Sequence, residues 1–432
     1  MCFLPRSHKV LKITYLHQYF ATPAMAGGTR SFELGRRLVA MGHDVTVITT
    51  FRGNSNKSDW FITKEQGLSV HWLPLRYSNK LGFWERLYAF VKFAFSATKR
   101  ASAIDADIIY ATSTPLTIGI PAVLSARKLR IPLVFEIRDL WPDVPISLGL
   151  LKSRVTKSLA YRLEKWIYAN SSAIVTLAPG MKAKVVAKGV PEKIVGVIPN
   201  GCNYSQESTK APNAYARLKA KHAWLRNGPL VLYAGTFGEV NDTLWMVRLA
   251  NACSALGFRA QFVMVGDGSK LEKTKALASD LGVLGDSLHF LPEMPKSELD
   301  DWYAVTSFMA ILYCGPKAVW EDSVSNKLFD AMSWGIPTVA NIDGWGPSLV
   351  ARYCAGMTFQ EQSMEEISKE ISRKYYDDAW MKLAHKNSLE FGRKFFSRDE
   401  QAERLSETLC AVHSGRSQTV ATITQSPEIG IY

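Results

Sequence analysis

The chain has 432 residues, 47% of them hydrophobic, and a net charge of +13. That length suggests two or three domains, and that hydrophobic share excludes a disordered polypeptide. The six cysteines (Cys2, Cys202, Cys253, Cys314, Cys354, Cys410) include no CxxC pair, which argues against a zinc ribbon or a redox dithiol and suits a reducing cytoplasm.

The charge is uneven. Residues 1–210 carry 29 Lys+Arg against 13 Asp+Glu, and the remainder 23 against 26. The first half is therefore expected to face something acidic: phospholipid, a polyanion or a phosphorylated acceptor. No signal peptide is visible. The charge-free run Ile108–Ala126 is long enough for a bilayer, but Pro115, Gly119 and Pro121 interrupt it, so it reads as strand, loop and helix.

In chain order, "KITYLHQYF" reads as a strand, followed by a Gly-Gly loop and the helix "RSFELGRRLVAMG". "HDVTVITT", "ADIIYAT", "PLVFEIRD" and "SAIVTLA" are further strands separated by helix-length segments, and "KIVGVIPNG" closes the first half. After a polar stretch from Cys202 to about Asn227 the pattern restarts with "PLVLYAGTF", "AQFVMVGDG", "SLHFLPEM", "SFMAILYC" and "IPTVAN" as strands. This alternation predicts an α/β protein with two Rossmann-like domains and a central cleft. The expected domains are 1–210 and 211–395, then a helix over 396–413 crossing back to the N-terminal domain and a flexible tail over 414–432.

Ligands of such sheets bind at the carboxyl ends of the strands. Asp105 and Asp107 of "DAD" precede a strand and so are not expected to hold a metal. Gly27 and Gly28, with Arg30 at the helix start, would let a backbone approach an anion. Glu136, Arg138 and Asp139 fall after another strand and are expected to line the cleft. Thr236, Phe237 and Gly238 offer amides and a hydroxyl to a phosphate.

The densest polar stretch is "EDSVSNKLFDAMSWGIPTVAN", Glu321 to Asn341. Ser325 suits an N-cap, with Asn326 and Lys327 opening the helix. Bare amides and the Lys327 ammonium suit a diphosphate, and the Asp330 carboxylate, on the same helix face, suits a ribose diol. The missing GxGxxG and the absence of an acid after "VITT" argue against a NAD-dependent oxidoreductase. A polyanion-binding protein would explain the charge but not two ligand-shaped loops facing one cleft.

Together, "YLHQYFATPAMAGGTRSFELGRRLVAMGHDVTVIT", "SNKLGFWERLYAFVKFAF", "VFEIRDLWPD", "VIPNGCN", "YAGTFGEVND" and "SVSNKLFDAMSWGIP" resemble the GT-B glycosyltransferases, family 4 of retaining enzymes. The nearest branch makes bacterial O-antigen and capsule and includes N-acetyl-L-fucosamine transferases. The resemblance implies transfer of a sugar, N-acetylated and amino by this branch, from a nucleotide-diphosphate donor, with uridine as the base, to a lipid-linked (polyprenyl-diphosphate) glycan. It implies no bound metal, no cofactor, no nucleic-acid partner and a cytoplasmic place on the inner face of the plasma membrane. By the family's spacing of two acids, Asp322 or its neighbour Glu321 meets the donor sugar and Asp330 the ribose. Arg138 stands where many relatives have a histidine, and with Asp139 completes the catalytic candidates. Many relatives grip the diphosphate with an Arg and a Lys after the first strand of the second domain. Here Thr236–Gly238 occupy that place, which shifts the role to Lys327. A nucleotide-sugar epimerase of the same fold is the nearest alternative, but it would leave the basic, aromatic first half without a role.

The segment Leu81–Arg100 puts Phe83, Leu87, Phe90 and Ala94 on one stripe and Trp84, Tyr88, Val91 and Phe95 on the next. Phe83, Trp84, Arg86 and Lys92 are its candidates for an anionic membrane or a lipid-linked acceptor; packing as a core helix is the alternative.

Overall fold

The computed structural model describes residues 9–25, 27–53, 57–75, 83–113, 115–204, 213–323 and 325–431, with the side chains of residues 83–87 outside that description. The chain forms two compact units: Met1–Thr22, Gly27–Pro199 and Arg398–Tyr432 in the first, and Pro23–Ala26 and Asn200–Ser397 in the second. The first unit thus ends eleven residues short of the expected boundary at 210, and Pro23–Ala26 group with the second.

The first unit is built on an eight-stranded sheet in the order β3-β4-β2-β1-β5-β6-β7-β8. Its strands are β1 (Lys12–Leu16), β2 (Asp44–Phe51), β3 (Phe61–Glu65), β4 (Leu68–Pro74), β5 (Ile108–Thr112), β6 (Leu133–Ile137), β7 (Ala173–Thr176) and β8 (Val195–Val197). All pairings are parallel except the β3–β4 hairpin at the edge. The central strands are buried along their whole length, as in "IIYAT" and "LVFEI", because helices cover both faces. Those helices are α1 (Arg30–Ala40), α2 (Phe83–Ala101), α3 (Gly119–Leu129), α4 (Asp143–Ser147), α5 (Arg154–Ala169) and α6 (Pro179–Ala187).

On α2 the core face is Ala89, Phe93, Ala94 and Ala97, whereas Tyr88, Val91 and Phe95 are 63%, 61% and 76% exposed. Of the two stripes read from the sequence, the second therefore faces outward along its described part. Phe83, Trp84 and Arg86 lie outside the described side chains; Lys92 is exposed.

The second unit has a six-stranded, all-parallel sheet in the order β11-β10-β9-β12-β13-β14. Its strands are β9 (Leu230–Ala234), β10 (Gln261–Val265), β11 (Leu288–Leu291), β12 (Phe308–Ile311), β13 (Thr338–Ala340) and β14 (Gly356–Thr358). Its helices are α7 (Ala214–Lys221), α8 (Thr243–Ala255), α9 (Leu271–Asp280), α10 (Lys296–Val305), α11 (Lys317–Trp320), α12 (Asn326–Trp334), α13 (Trp345–Arg352), α14 (Met364–Tyr375) and α15 (Asp378–Phe396). Gly335, at φ 67°, ends α12 in the left-handed conformation that lets the chain turn directly into β13.

The chain then returns to the first unit as α16 (Arg398–His413), which packs on α1, and α17 (Val420–Ile423). His43 Nε2 and Ser406 Oγ, 2.7 Å apart, and the Arg37–Asp399 ion pair fix α16 there. The tail is not the flexible extension expected. Its α17 packs against β8, where Thr424 Oγ1 accepts from the Val197 amide at 3.1 Å, and Val420 and Ile431 are fully buried. Its apolar residues are too dispersed to show a helical period, but they cover the β8 edge. Among the described residues no helix is long and apolar enough to cross a membrane.

Thr424→Val keeps the shape and strands the buried Val197 N–H, a loss of about 1–3 kcal/mol. The thermal midpoint should fall for Thr424→Val and recover for Thr424→Ser; equal melting of the valine variant and the parent would remove this role.

Candidate functional site

In the second unit the connection order reverses at β9, which pairs with β10 on one side and β12 on the other. The point outside the carboxyl ends of β9 and β12 is where such a sheet takes a ligand. Three segments meet there: Gly235–Gly238 after β9, Leu312–Gly315 after β12, and the N-terminus of α12. Cys314 N bonds to Val240 O at 2.9 Å, and Ser325 N donates to the Tyr313 hydroxyl at 3.2 Å. Asn341 locks the β12 end by taking Tyr313 N at 2.8 Å and giving its own amide to Tyr313 O at 2.8 Å.

Lys327 crosses this point. Its ammonium lies 4.8 Å over the Tyr233 ring, and a Cβ on Gly235 (φ 158°) would run into the lysine stem and stand 2.7 Å from Nζ. Gly235 is thus the residue that lets the lysine through. Among the described residues Lys327 has no ion-pair partner, because the neighbouring Asp330 carboxylate is taken by Lys296 and, at 3.5 Å, by the Tyr303 hydroxyl. Burial without a counter-charge pushes Lys327 down to about 8, with Asp330 opposing the shift. A desolvated ammonium lacking a carboxylate partner is an anion site in waiting.

Ser325 caps α12 through its side chain, which accepts from Lys327 N at 3.3 Å. The Ser325 and Lys327 amides are therefore not bare, as the sequence had suggested; the side chains of Asn326 and Lys327 remain at the mouth. Glu321 and Asp322 are partly buried in the turn between α11 and α12, with Glu321 3.8 Å from Lys317 Nζ and its carbonyl bound by Trp345 N.

Thr236 is exposed and Gly238 partly so. Phe237 is not a ligand residue. Its ring is fully buried in the core and its amide donates to Asp267 O at 2.9 Å. The cause is a second glycine loop, Gly266–Gly268, folded against Gly235–Phe237 so closely that a Cβ on Gly268 would lie 2.5 Å from Phe237 O. Lys270 follows this loop and binds Glu239 at 3.3 Å and its carbonyl at 3.0 Å. Sequence reasoning missed Tyr313, Lys296, Lys270 and Asn341. Tyr313 follows a strand and could have been found by the rule applied to the others.

In the first unit two expectations fail. Arg30 does not wait for a ligand and Glu136 does not line an opening. The Arg30 guanidinium clasps Glu136 Oε1 at 2.7 and 3.1 Å and donates to the carbonyls of Pro199 and Ile198 at 2.5 and 2.8 Å. Glu136 also accepts from the Tyr110 and Thr112 hydroxyls, each at 2.6 Å, and is fully buried. Arg30 and the hydrogen bonds hold its carboxyl below the usual carboxylate range despite its burial. Arg138 instead turns to His17, 3.3 Å away, and its amide donates to Ser113 Oγ at 2.9 Å. Asp139 is exposed, as are Gly27 and Gly28, the former at φ 131°. His17 and Gln18 were missed although both directly follow β1.

Asp105 and Asp107 sit at the amino end of the sheet, bound by the Lys12 side chain and amide at 2.6 and 2.8 Å. Among the described residues no group of three or more His, Cys, Asp or Glu side chains is placed to hold a metal.

The model of the glycosyl transferase 4-like domain matches residues 26–201, and that of the glycosyl transferases group 1 matches 228–377. The chain is a group 1 glycosyltransferase with the GT-B fold. No curated protein sequence matches this glycosyltransferase significantly. Solved structures share its fold. Sucrose-phosphate synthase from Thermosynechococcus elongatus aligns with TM-score 0.71 at 17% identity, over 94% of this chain and 99% of that one. HepE of Anabaena, in complex with UDP-glucose, aligns with TM-score 0.69 at 15% identity, over 93% and 100%. WaaG, a glycosyltransferase involved in lipopolysaccharide biosynthesis, aligns with TM-score 0.65 at 14% identity, over 92% and 99%.

The Lys327 shift sets a pH dependence for this glycosyltransferase. A lysine at about 8 is charged below that pH and loses its proton above it. An anion held by the Lys327 ammonium, with UDP as the probe, should therefore bind fully near pH 7 and about tenfold more weakly by pH 9, following the protonated fraction. Isothermal titration should find this slope in the parent protein and a weak, flat profile for Lys327→Met. A sloping profile in the methionine variant would assign the titration to another group.

Proposed function

We propose that the enzyme transfers a sugar, N-acetylated and amino by its sequence branch, from a UDP-sugar to a lipid-linked glycan acceptor in O-antigen or capsule synthesis. The observation that carries the donor side is the unpaired, desolvated Lys327 at the β9–β12 switch point. It would neutralise the donor diphosphate beside Asn326, Thr236 and Gly238. Asp330, oriented by Lys296 and Tyr303, would accept from the ribose hydroxyls, and Glu321 or Asp322 would meet the sugar. UDP in HepE supports uridine as the base.

Retention of configuration fits a front-face course, since no residue is assigned as a covalent nucleophile. The bond from the anomeric carbon to the diphosphate oxygen breaks, and the acceptor oxygen bonds to the same face. The acceptor proton passes to the departing diphosphate, whose charge Lys327 meets. No bound metal or cofactor is required in this scheme.

The acceptor reading draws support from one helical layer of the first unit. Here α3 packs against both α2 and α5. Tyr88, Val91 and Phe95 of α2, Leu124 of α3, and Val155 and Leu159 of α5 are all exposed. Lys92, Lys99, Arg127, Lys128, Arg154, Arg162 and Lys165 are exposed on the same helices, while Glu164 is buried and paired with Lys188 at 2.6 Å. Apolar side chains ringed by cations suit the headgroup region of an anionic bilayer, and the enzyme would work peripherally on the inner face of the plasma membrane.

Lys327→Ala and Asp330→Ala should each weaken UDP binding about tenfold or more, the size of a lost charge-assisted hydrogen bond. Unchanged UDP affinity in both would overturn the donor site. For the membrane, the protein should float with phosphatidylglycerol vesicles and stay behind with phosphatidylcholine alone. The triple variant Tyr88→Ser, Val91→Ser, Phe95→Ser should lose flotation; a parent protein that never floats would end that reading.

A further inference from the structure

A cavity of about 260 Å³ lies in the second unit, at the amino ends of β12 and β13. The donor site proposed above faces the first turn of α12, whereas this cavity takes in the last residue of that helix, Trp334. Tyr303 and Trp334 form two of its walls, with ring centroids 5.9 Å apart and planes tilted by 43°. Pro337 and Met381 add apolar surface. Gly335 leaves room for the last wall: a Cβ there would lie 2.7 Å from Cε1 of His385, so the bare turn lets the imidazole lie against it.

Unused hydrogen-bonding groups collect around these walls. Trp334 Nε1 has no acceptor, and the His385 ring has no hydrogen-bond partner, among the described residues. The Thr306 hydroxyl donates to Trp302 O at 2.7 Å and keeps its lone pairs. The Ser307 hydroxyl accepts from the Leu230 amide at 3.2 Å and keeps its proton. Both α10 and α12 end here, at Val305 and Trp334, and a helix end leaves carbonyls without helical donors. Among the described residues no lysine, arginine, aspartate or glutamate lines the cavity.

These features select a ligand. Two helix C-termini disfavour an anion, and no carboxylate is there to hold an ammonium. What fits is an uncharged molecule with donors and acceptors on its rim and an apolar face for the aromatic rings. The volume is below the roughly 300–1,000 Å³ of pockets for drug-sized ligands, which suits a single ring. A pyranose has this combination, with C–H groups on its faces and hydroxyls around its edge. A flat aromatic molecule would satisfy the walls and leave the rim groups unmet.

We propose that the second unit carries a sugar-binding site separate from the donor site, formed by Tyr303, Thr306, Ser307, Trp334 and His385. It takes one uncharged pyranose ring, free or at the end of a glycan. The site does not rest on the donor and acceptor assigned above. Tyr303 links it to the donor helix, since its hydroxyl lies 3.5 Å from Asp330 Oδ2.

The test is saturation-transfer NMR on the full chain with excess UDP. The probes are the methyl glycosides of glucose, galactose, N-acetylglucosamine and rhamnose, with cellobiose and chitobiose standing for a glycan end. At least one probe is expected to bind. Tighter binding of a disaccharide than of its methyl glycoside names a glycan end and the reverse a free sugar; either supports the site. His385→Ala and Trp334→Leu should each weaken binding about three- to tenfold, the worth of one hydrogen bond or one stacked face. Lys327→Ala should not weaken it. His385 is on the surface, so its variant reads the site even if the Trp334 variant fails to fold. If no probe binds, the proposal falls. It falls also if His385→Ala binds as the parent does, or if Lys327→Ala abolishes binding, which would put the sugar at the donor site. Binding of indole in place of every sugar would overturn the ligand class and the proposal with it.

Discussion

The ion pair between Arg30 and Glu136 organises the first unit. Both side chains are buried, and neither could be there alone: an isolated charge at that depth would cost several kcal/mol, and removing one partner typically costs 3–5 kcal/mol. Satisfying the pair draws in β5 through Tyr110 and Thr112, and the chain after β8 through the carbonyls of Ile198 and Pro199. One guanidinium therefore sets where α1 starts, how β5 and β6 align at their ends, and where the chain leaves the unit. It also decides which charges remain available. With the Glu136 oxygens bound by Arg30, Tyr110 and Thr112, Arg138 is left beside His17.

The second unit solves the same problem differently. Two glycine loops are pressed together so tightly that side chains are excluded, and the space over Gly235 is filled by the Lys327 stem. The ammonium is left over an aromatic ring rather than a carboxylate. Asp330, one turn further along α12, would be the natural partner, but Lys296 holds it. Lysine and aspartate on one helix face are thus kept from pairing with each other, and α12 carries two opposite charges in separate surroundings.

Much of this was legible in the sequence because parallel sheets write themselves plainly. Runs such as "IIYAT" and "LVFEI" are buried on both faces, so they stand out as apolar blocks between amphipathic helices. The strand-end rule put Arg138 and Thr236 just past the carboxyl ends of β6 and β9, and the N-cap reading put Lys327 in the first turn of α12. The strand-end rule failed where a residue at a strand end is turned inward. Glu136 and Phe237 hold such positions, but one is the centre of a buried hydrogen-bond set and the other part of the core. Alternation gives a side chain's face, not its depth. Arg30 was misjudged because its partner lies 106 residues away. The edge hairpin β3–β4 and the packed tail went unread for a related reason: short elements gain their stability from neighbours distant in sequence.

The first unit is assembled from separate stretches of chain, the last beginning at Arg398. Its sheet is complete once Val197 has been made, yet the helix that covers α1 and the turn that seals β8 come only after all of the second unit. On a ribosome the early sheet must therefore wait, with part of its apolar surface uncovered, while about two hundred further residues are synthesised. A chain cut short before Arg398 would release a finished second unit tethered to an unfinished first one, so the order of synthesis ties the maturation of the first unit to the arrival of α16 and α17.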